Sequence, residues 1–160
     1  MHKILISRCL LGEAVRYDGQ AKRLASEYLS LWQLQGRLVP VCPEVLGGLP
    51  TPRPPAERVA NKVLTAEGED VTAAFQCGAQ LAAKLAQQQL CRFALLKANS
   101  PSCGNLQIYD GSFSGRLCPG KGVSVEALQA CGLQVFNEFQ LEELQQALLQ
   151  ADACNTNPHK

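Results

Sequence analysis

Three short apolar runs, KILIS (Lys3–Ser7), LVPV (Leu38–Val41) and FALLKA (residues 93–98), each lead into a loop that carries a cysteine. Runs of this length, bounded by turn-forming residues, read as buried strands. Between them lie segments with apolar residues at helical spacing. Residues 24–34 form one and stop at Gly36. Residues 71–90 form another, with Phe75, Leu81, Leu85 and several alanines on its apolar face. After the third strand the pattern predicts a helix over Val123–Ala130 closed by Gly132, a fourth strand in LQVFN (133–137) and a last helix over 141–149. Alternating strands and helices specify an α/β fold: a single-domain three-layer sandwich around a mostly parallel, Rossmann-like sheet of about four strands. The domain is expected to span 1–152, with a polar tail over 153–160.

The connections are unusual. CLLGEAVRYDG reads as a loop with an Asp18–Gly19 turn. VCPEVLGGLPTPRPPAE is a long loop rich in proline and glycine, and residues 58–72 read as an extended excursion turning at Glu67–Gly68. A second long loop covers residues 99–122. In parallel α/β sheets, ligands bind outside the carboxyl ends of the strands. Cys9, Cys42 and Cys103 follow the first, second and third strands. The topology therefore carries all three to one edge, although 33 and 61 residues separate them.

Composition limits what that edge can be. The chain is 46% hydrophobic with a formal charge of +1, so no global field draws it to nucleic acid, and only a local patch of Lys22, Arg23, Arg53 and Arg58 remains to be considered. No apolar run reaches the ~20 residues of a membrane span. The N-terminal apolar stretch is broken by Ser7 and Arg8 and lacks a cleavage site, which predicts a cytoplasmic protein. Eight cysteines in a chain long enough to bury its own core read as reduced thiols rather than a disulfide framework. There is no CxxC pair, and the two histidines, His2 and His159, sit beside the termini. Zinc-ribbon and Cys–His nucleophile readings have little support.

Position sorts the cysteines. Cys77, Cys91 and Cys131 fall on predicted elements and read as small buried hydrophobes, while Cys154 lies in the polar tail. Cys118, in LCPGKG, stands between the groups. Cys9, Cys42 and Cys103 leave two readings: structural thiols, or soft thiolate ligands of an iron–sulfur cluster held by three corners with one iron open.

The segments CLLGEAVRYDG, VCPEVLGGLPTPRPPAE, EGEDVT and LKANSPSCG, in this order, resemble the bacterial thiouracil desulfidase family over most of the chain, from about Ile4 to Val125. The patterns CPE-x-x-GG-L-x-x-PR and SPSCG are specific in combination. The resemblance implies an oxygen-sensitive 4Fe-4S cluster with Cys9, Cys42 and Cys103 as its metal ligands, its fourth iron free to take a substrate's sulfur. It further implies Glu44 as catalytic acid/base and Ser100 as an active-site serine. The activity implied is non-redox conversion of a thiocarbonyl to a carbonyl in 2-thiouracil or 4-thiouracil, releasing hydrogen sulfide. A homodimer is the implied assembly.

Beside these roles stand plainer ones. Glu44 also reads as a salt-bridged glutamate, and Ser100 as a loop cap. Arg16, Tyr17 and Asp18 read as lining the base pocket or orienting other residues, and equally as holding an Arg–Asp structural pair, and Arg53 reads as a loop anchor or phosphate contact. Two other functions stay open. One is desulfuration of 4-thiouridine in nucleosides or tRNA, of which a near-neutral chain disfavours only the tRNA. The other is an iron–sulfur protein for sulfur storage or electron transfer, which requires a fourth protein ligand, with Cys118 the best placed.

Overall fold

The computed structural model describes residues 1–20 and 24–155. The chain runs β1 (Lys3–Ser7), α1 (Glu27–Leu34), β2 (Leu38–Val41), α2 (Pro43–Leu46), β3 (Ala56–Val59), β4 (Lys62–Thr65) and α3 (Thr72–Gln88). It continues through β5 (Cys91–Leu96), β6 (Gln107–Tyr109), β7 (Leu117–Pro119), α4 (Val123–Ala130), β8 (Gln134–Asn137) and α5 (Leu141–Asn155). Four strands make one sheet in the order β2-β1-β5-β8, every neighbouring pair parallel.

Parallel strands are covered on both faces, and their side chains divide accordingly. Ile4 and Ile6 of β1, with Phe93 and Leu95 of β5, pack against Leu29 and Trp32 of α1 and Leu144 and Leu148 of α5. Leu5, Ala94 and Leu96 point the other way, onto Ala82, Ala83 and Ala86 of α3 and Val125 and Leu128 of α4. The three-layer α/β sandwich expected from the sequence is the observed architecture. Trp32 is fully buried, and its indole N–H donates to Gln145 Oε1 at 2.8 Å, which satisfies its one donor.

The sheet order places the site. The chain leaves β1 for β2 on one side, then crosses to β5 on the other, so the strand order reverses beside β1. That reversal opens a crevice at the carboxyl ends of β1 and β5.

Several local expectations are corrected. The first helix begins at Glu27 rather than residue 24, because Ser26 adopts an extended conformation and its side chain accepts the Tyr28 N–H. On α3 the buried stripe is Phe75, Gly78, Ala79, Ala82, Ala83 and Ala86; Leu81 is outside it and 40% exposed. Residues 58–72 do turn at Gly68, whose N–H donates to Thr65 O, but the tighter reversal is at Ala60–Asn61 between antiparallel β3 and β4. The second long loop contains another hairpin, β6–β7. The last helix continues to Asn155, past the point where the tail was expected to start. Cys77 and Cys131 are exposed, so helical location alone did not make them core residues; Cys91 is buried as expected.

Candidate active site

β1, β2 and β5 each deliver one thiol to this edge of the sheet. Cys9 lies in a tight 3-10 turn, Arg8–Leu11, directly after β1. Cys42 follows β2 and occupies the N-cap position of α2, where Pro43 starts the helical turn with a preset φ. Cys103 follows β5 in a loop tied down at both ends. The Ser100 hydroxyl accepts the Cys103 N–H at 2.7 Å, and Ser100 O accepts the Gly104 N–H at 3.0 Å. On its far side the loop lies against the start of α4. Gly122, Val123 and Ser124 N–H groups donate to the carbonyls of Gly104, Pro101 and Ser102. The buried hydroxyls of Ser102 and Ser124 are 2.8 Å apart. The backbone comes so close here that a Cβ on Gly122 would lie 2.4 Å from Ser102 O.

The three thiols line one cavity of about 430 Å3, together with Glu44, Arg53 and Ser100. Burial raises all three above the ordinary thiol range, Cys9 to about 11. Proximity adds to this: a charge on Cys42 raises Cys9, and charges on Glu44, Cys42 and Cys9 raise Cys103. Cys9 and Cys103 are buried and Cys42 is half-buried, and a charge on Cys42 opposes the ionisation of the other two. Such a set ionises when a cationic group arrives to be ligated.

Among the described residues no three Cys, His, Asp or Glu side chains converge tightly enough for a single metal ion. Thiols spread around a cavity suit a multi-iron cluster, which takes its ligands at separate corners. The donor set therefore fits a three-cysteine iron–sulfur cluster. Cys118 lies on β7 opposite Ile108 and is not among the residues lining this cavity.

Glu44 sits one residue inside α2, with its side chain 18% exposed. Burial raises its pKa, and the Arg53 guanidinium, 3.4 Å away, opposes that rise. Arg53 is held in turn by Pro50 O and Thr51 Oγ1, both at 3.1 Å, and by Val15 O at 3.0 Å. It anchors the Pro/Gly loop and fixes Glu44 in one act. Arg16 pairs with Asp18 at 3.6 Å, and its guanidinium stands over the Tyr17 ring. Ser100 is a loop cap that also faces the cavity.

The structure adds residues that the sequence reading missed. Lys97, at the end of β5, pairs with Glu138 at 2.7 Å, and Glu57 turns a buried carboxylate toward the β6–β7 connection. Neither had a motif to mark it; only the strand-exit position of Lys97 was a usable signal. Of the four cations considered for a local basic patch, Arg53 is buried and Arg58 pairs with Glu126. Lys22 and Arg23 lie outside the described residues, as does His159.

Fold and cavity together define a doubly wound α/β domain with a thiol-lined site at its switch point. The chain belongs to the 2-thiouracil desulfurase family, whose model matches residues 4–140. It is 38% identical over 151 residues to the protein YbbK of Bacillus subtilis (strain 168), a match that covers 88% of this chain and 99% of that one. Among solved structures it is similar to the 4Fe-4S-dependent thiouracil desulfidase TudS. That likeness has a TM-score of 0.92 at 52% identity and covers 94% of this chain and 99% of the other.

Proposed function

We propose that this protein is a 4Fe-4S-dependent thiouracil desulfidase, which replaces the sulfur of a thiocarbonyl by the oxygen of water and releases hydrogen sulfide. The observation that carries the reading is the convergence of Cys9, Cys42 and Cys103 on one cavity with Glu44 in its wall. When bound by these three cysteines, the cluster supplies an open iron as a soft Lewis acid for the substrate's sulfur.

The remaining work falls to the chain. Glu44 takes a proton from water as the water oxygen bonds to the thiocarbonyl carbon. The carbon–sulfur bond then breaks, and Glu44 returns a proton to the departing sulfur. The sum is C=S plus water giving C=O plus hydrogen sulfide, with no electrons gained or lost. Arg53 keeps the Glu44 carboxylate aimed into the cavity, and Ser100 keeps the Cys103 backbone in place and offers a hydroxyl to the ring.

The charge balance favours a free base over tRNA. Four cations line the cavity, Arg8, Arg16, Arg53 and Lys97, and each has a carboxylate partner: Glu13, Asp18, Glu44 and Glu138. A phosphate backbone needs uncompensated cations, which these are not. An electron carrier with Cys118 as fourth ligand is disfavoured by the place of Cys118 outside the cavity lining.

The test is anaerobic cluster reconstitution followed by sulfide and uracil assays with 2-thiouracil and 4-thiouracil. Equimolar sulfide and uracil from at least one substrate is the expected result. A fully loaded protein that releases sulfide from neither overturns the reading.

A further inference from the structure

The β6–β7 connection carries a feature that the cluster and the acid do not explain. Phe113 stands at its tip with φ +56°, flanked by Gly111 and Gly115, which also have positive φ. A bulky residue in the left-handed region is an outlier that persists only where its surroundings hold it. Here the holder is Glu57. Its buried carboxylate oxygen accepts the N–H of Gly111 at 2.9 Å and that of Phe113 at 3.2 Å. On the same turn, a Cβ on Gly111 would lie 2.6 Å from Val59 Cγ2, so the turn sits hard against β3.

The constraint does not bury the ring. Phe113 is 37% exposed, and Tyr109 of β6 is 36% exposed. Both line the same cavity as the three thiols. Among the described residues neither ring pairs with another aromatic ring. Tyr17, the third exposed aromatic of the cavity, differs in having the Arg16 guanidinium over its ring. A fixed, half-exposed, unstacked ring facing a binding cavity is a surface for a planar partner.

We propose that Phe113, with Tyr109 on the same hairpin, is the stacking wall for the substrate's heteroaromatic ring, and that Glu57 is the positioning residue that sets it. The inference rests on the desulfidase reading and deepens it. Sulfur capture fixes one atom of a flat ring and leaves its plane free to swing. A rigid aromatic face fixes that plane and turns the thiocarbonyl carbon toward Glu44. Recognition through a π-face also selects planar thionated rings over saturated ones.

The experiment separates ring binding from sulfur binding by using uracil, which has no sulfur, on anaerobic cluster-loaded protein. Uracil and 5,6-dihydrouracil affinities are measured by calorimetry for the wild type, Phe113→Ala and Phe113→Tyr, alongside kcat and KM for 2-thiouracil. Loss of a base–aromatic stack predicts uracil binding weakened about 5- to 100-fold in Phe113→Ala. KM should rise with it, the saturated ring should be much less affected, and Phe113→Tyr should restore uracil affinity. Cluster content should not change, because Phe113 lies at the tip of the β6–β7 hairpin and not in the turns that carry Cys9, Cys42 and Cys103. Uracil affinity and KM within twofold of wild type in Phe113→Ala overturn the proposal, as does an equal loss for both rings. An active wild type with either of those results condemns the stacking wall alone. A loaded wild type that neither binds uracil nor releases sulfide overturns the desulfidase reading and this inference together.

Discussion

Gly47 and Gly78 meet backbone to backbone where the Cys42 turn crosses α3. A Cβ on Gly78 would lie 1.9 Å from the Pro43 carbonyl oxygen, and one on Gly47 would lie 2.1 Å from that of Ala74. The crossing clamps α2, and so Cys42 and Glu44, against α3, the longest helix among the described residues. It tests whether the thiol-bearing turn is held by packing.

Gly78→Ala sets two effects against each other. Alanine favours the helix by up to ~1 kcal/mol. Overpacking costs about 1–3 kcal/mol, and here the obstacle is a backbone oxygen that moves only if the whole turn moves. We expect net destabilisation of about 1–2 kcal/mol by urea unfolding. Weaker retention of iron should accompany it, because the displaced residue, Pro43, adjoins Cys42. A variant as stable and as iron-rich as wild type would show that the crossing is not what holds the turn.

The cysteine set is tested one residue at a time. Cys9→Ala, Cys42→Ala and Cys103→Ala should each lose stable cluster binding, read as iron and acid-labile sulfide per chain after anaerobic reconstitution. Cys77→Ala and Cys131→Ala, at exposed positions, should load normally. Cys91→Ala should also load, at a cost of about 1 kcal/mol for a small buried side chain. Full loading of Cys42→Ala would remove it from the ligand set.

How much of this was legible depended on the range of the interaction. The sheet was readable because Ile4, Leu5 and Ile6, buried on both faces, leave a continuous apolar run. The shared edge of Cys9, Cys42 and Cys103 followed from that topology without any contact being known. The fit to a particular cluster did not; it came from the SPSCG and CPE patterns as a resemblance. What stayed hidden was long-range and polar. Glu57 reaches across 54 residues to Gly111, and Lys97 across 41 to Glu138; neither pairing leaves a local period. The exposed Cys77 and Cys131 show the converse limit, since a thiol on an amphipathic helix can face either way.

Acid stability should depend on a clasp between the two ends of the domain. Asp152 of α5 accepts from Arg37 Nη2 at 2.6 Å and from the His2 backbone N–H at 3.3 Å. The Arg37 hydrogen bond, with help from His2, lowers the Asp152 pKa to about 2. A carboxylate depressed in the folded state stabilises the fold above its ordinary value of about 3.9. That stabilisation is lost as the pH falls toward about 2. Asp152→Asn should cost about 1–2 kcal/mol at neutral pH, since a charge-assisted bond to a partly exposed carboxylate is screened. It should also flatten the acid limb of the stability curve measured by urea unfolding between about pH 5 and pH 2. An unchanged acid limb would mean that the clasp carries none of the pH dependence.

Glu44→Gln should keep the cluster and the substrate but lose most of the turnover. Glutamine preserves the length of the side chain and an oxygen for Arg53, so the contact at 3.4 Å has a replacement acceptor. Arg53 loses its counter-charge but keeps Pro50 O, Thr51 Oγ1 and Val15 O, which is why the Pro/Gly loop should stay folded. What the substitution removes is the capacity to take a proton from water and return one to sulfur. General acid–base catalysis contributes about 10²–10⁴-fold, and a single carboxylate serving both steps belongs toward the upper end. Alanine at this position would enlarge the cavity and admit water, so it would mix two effects. The comparison is made on one anaerobic preparation: iron content, uracil affinity and sulfide release from 2-thiouracil. Loaded protein with wild-type uracil affinity and a kcat reduced by about 10³-fold or more is the expected result. Near-normal sulfide release would move the proton transfer to another group, and Ser100, which caps the Cys103 loop while facing the same cavity, would be the next to test.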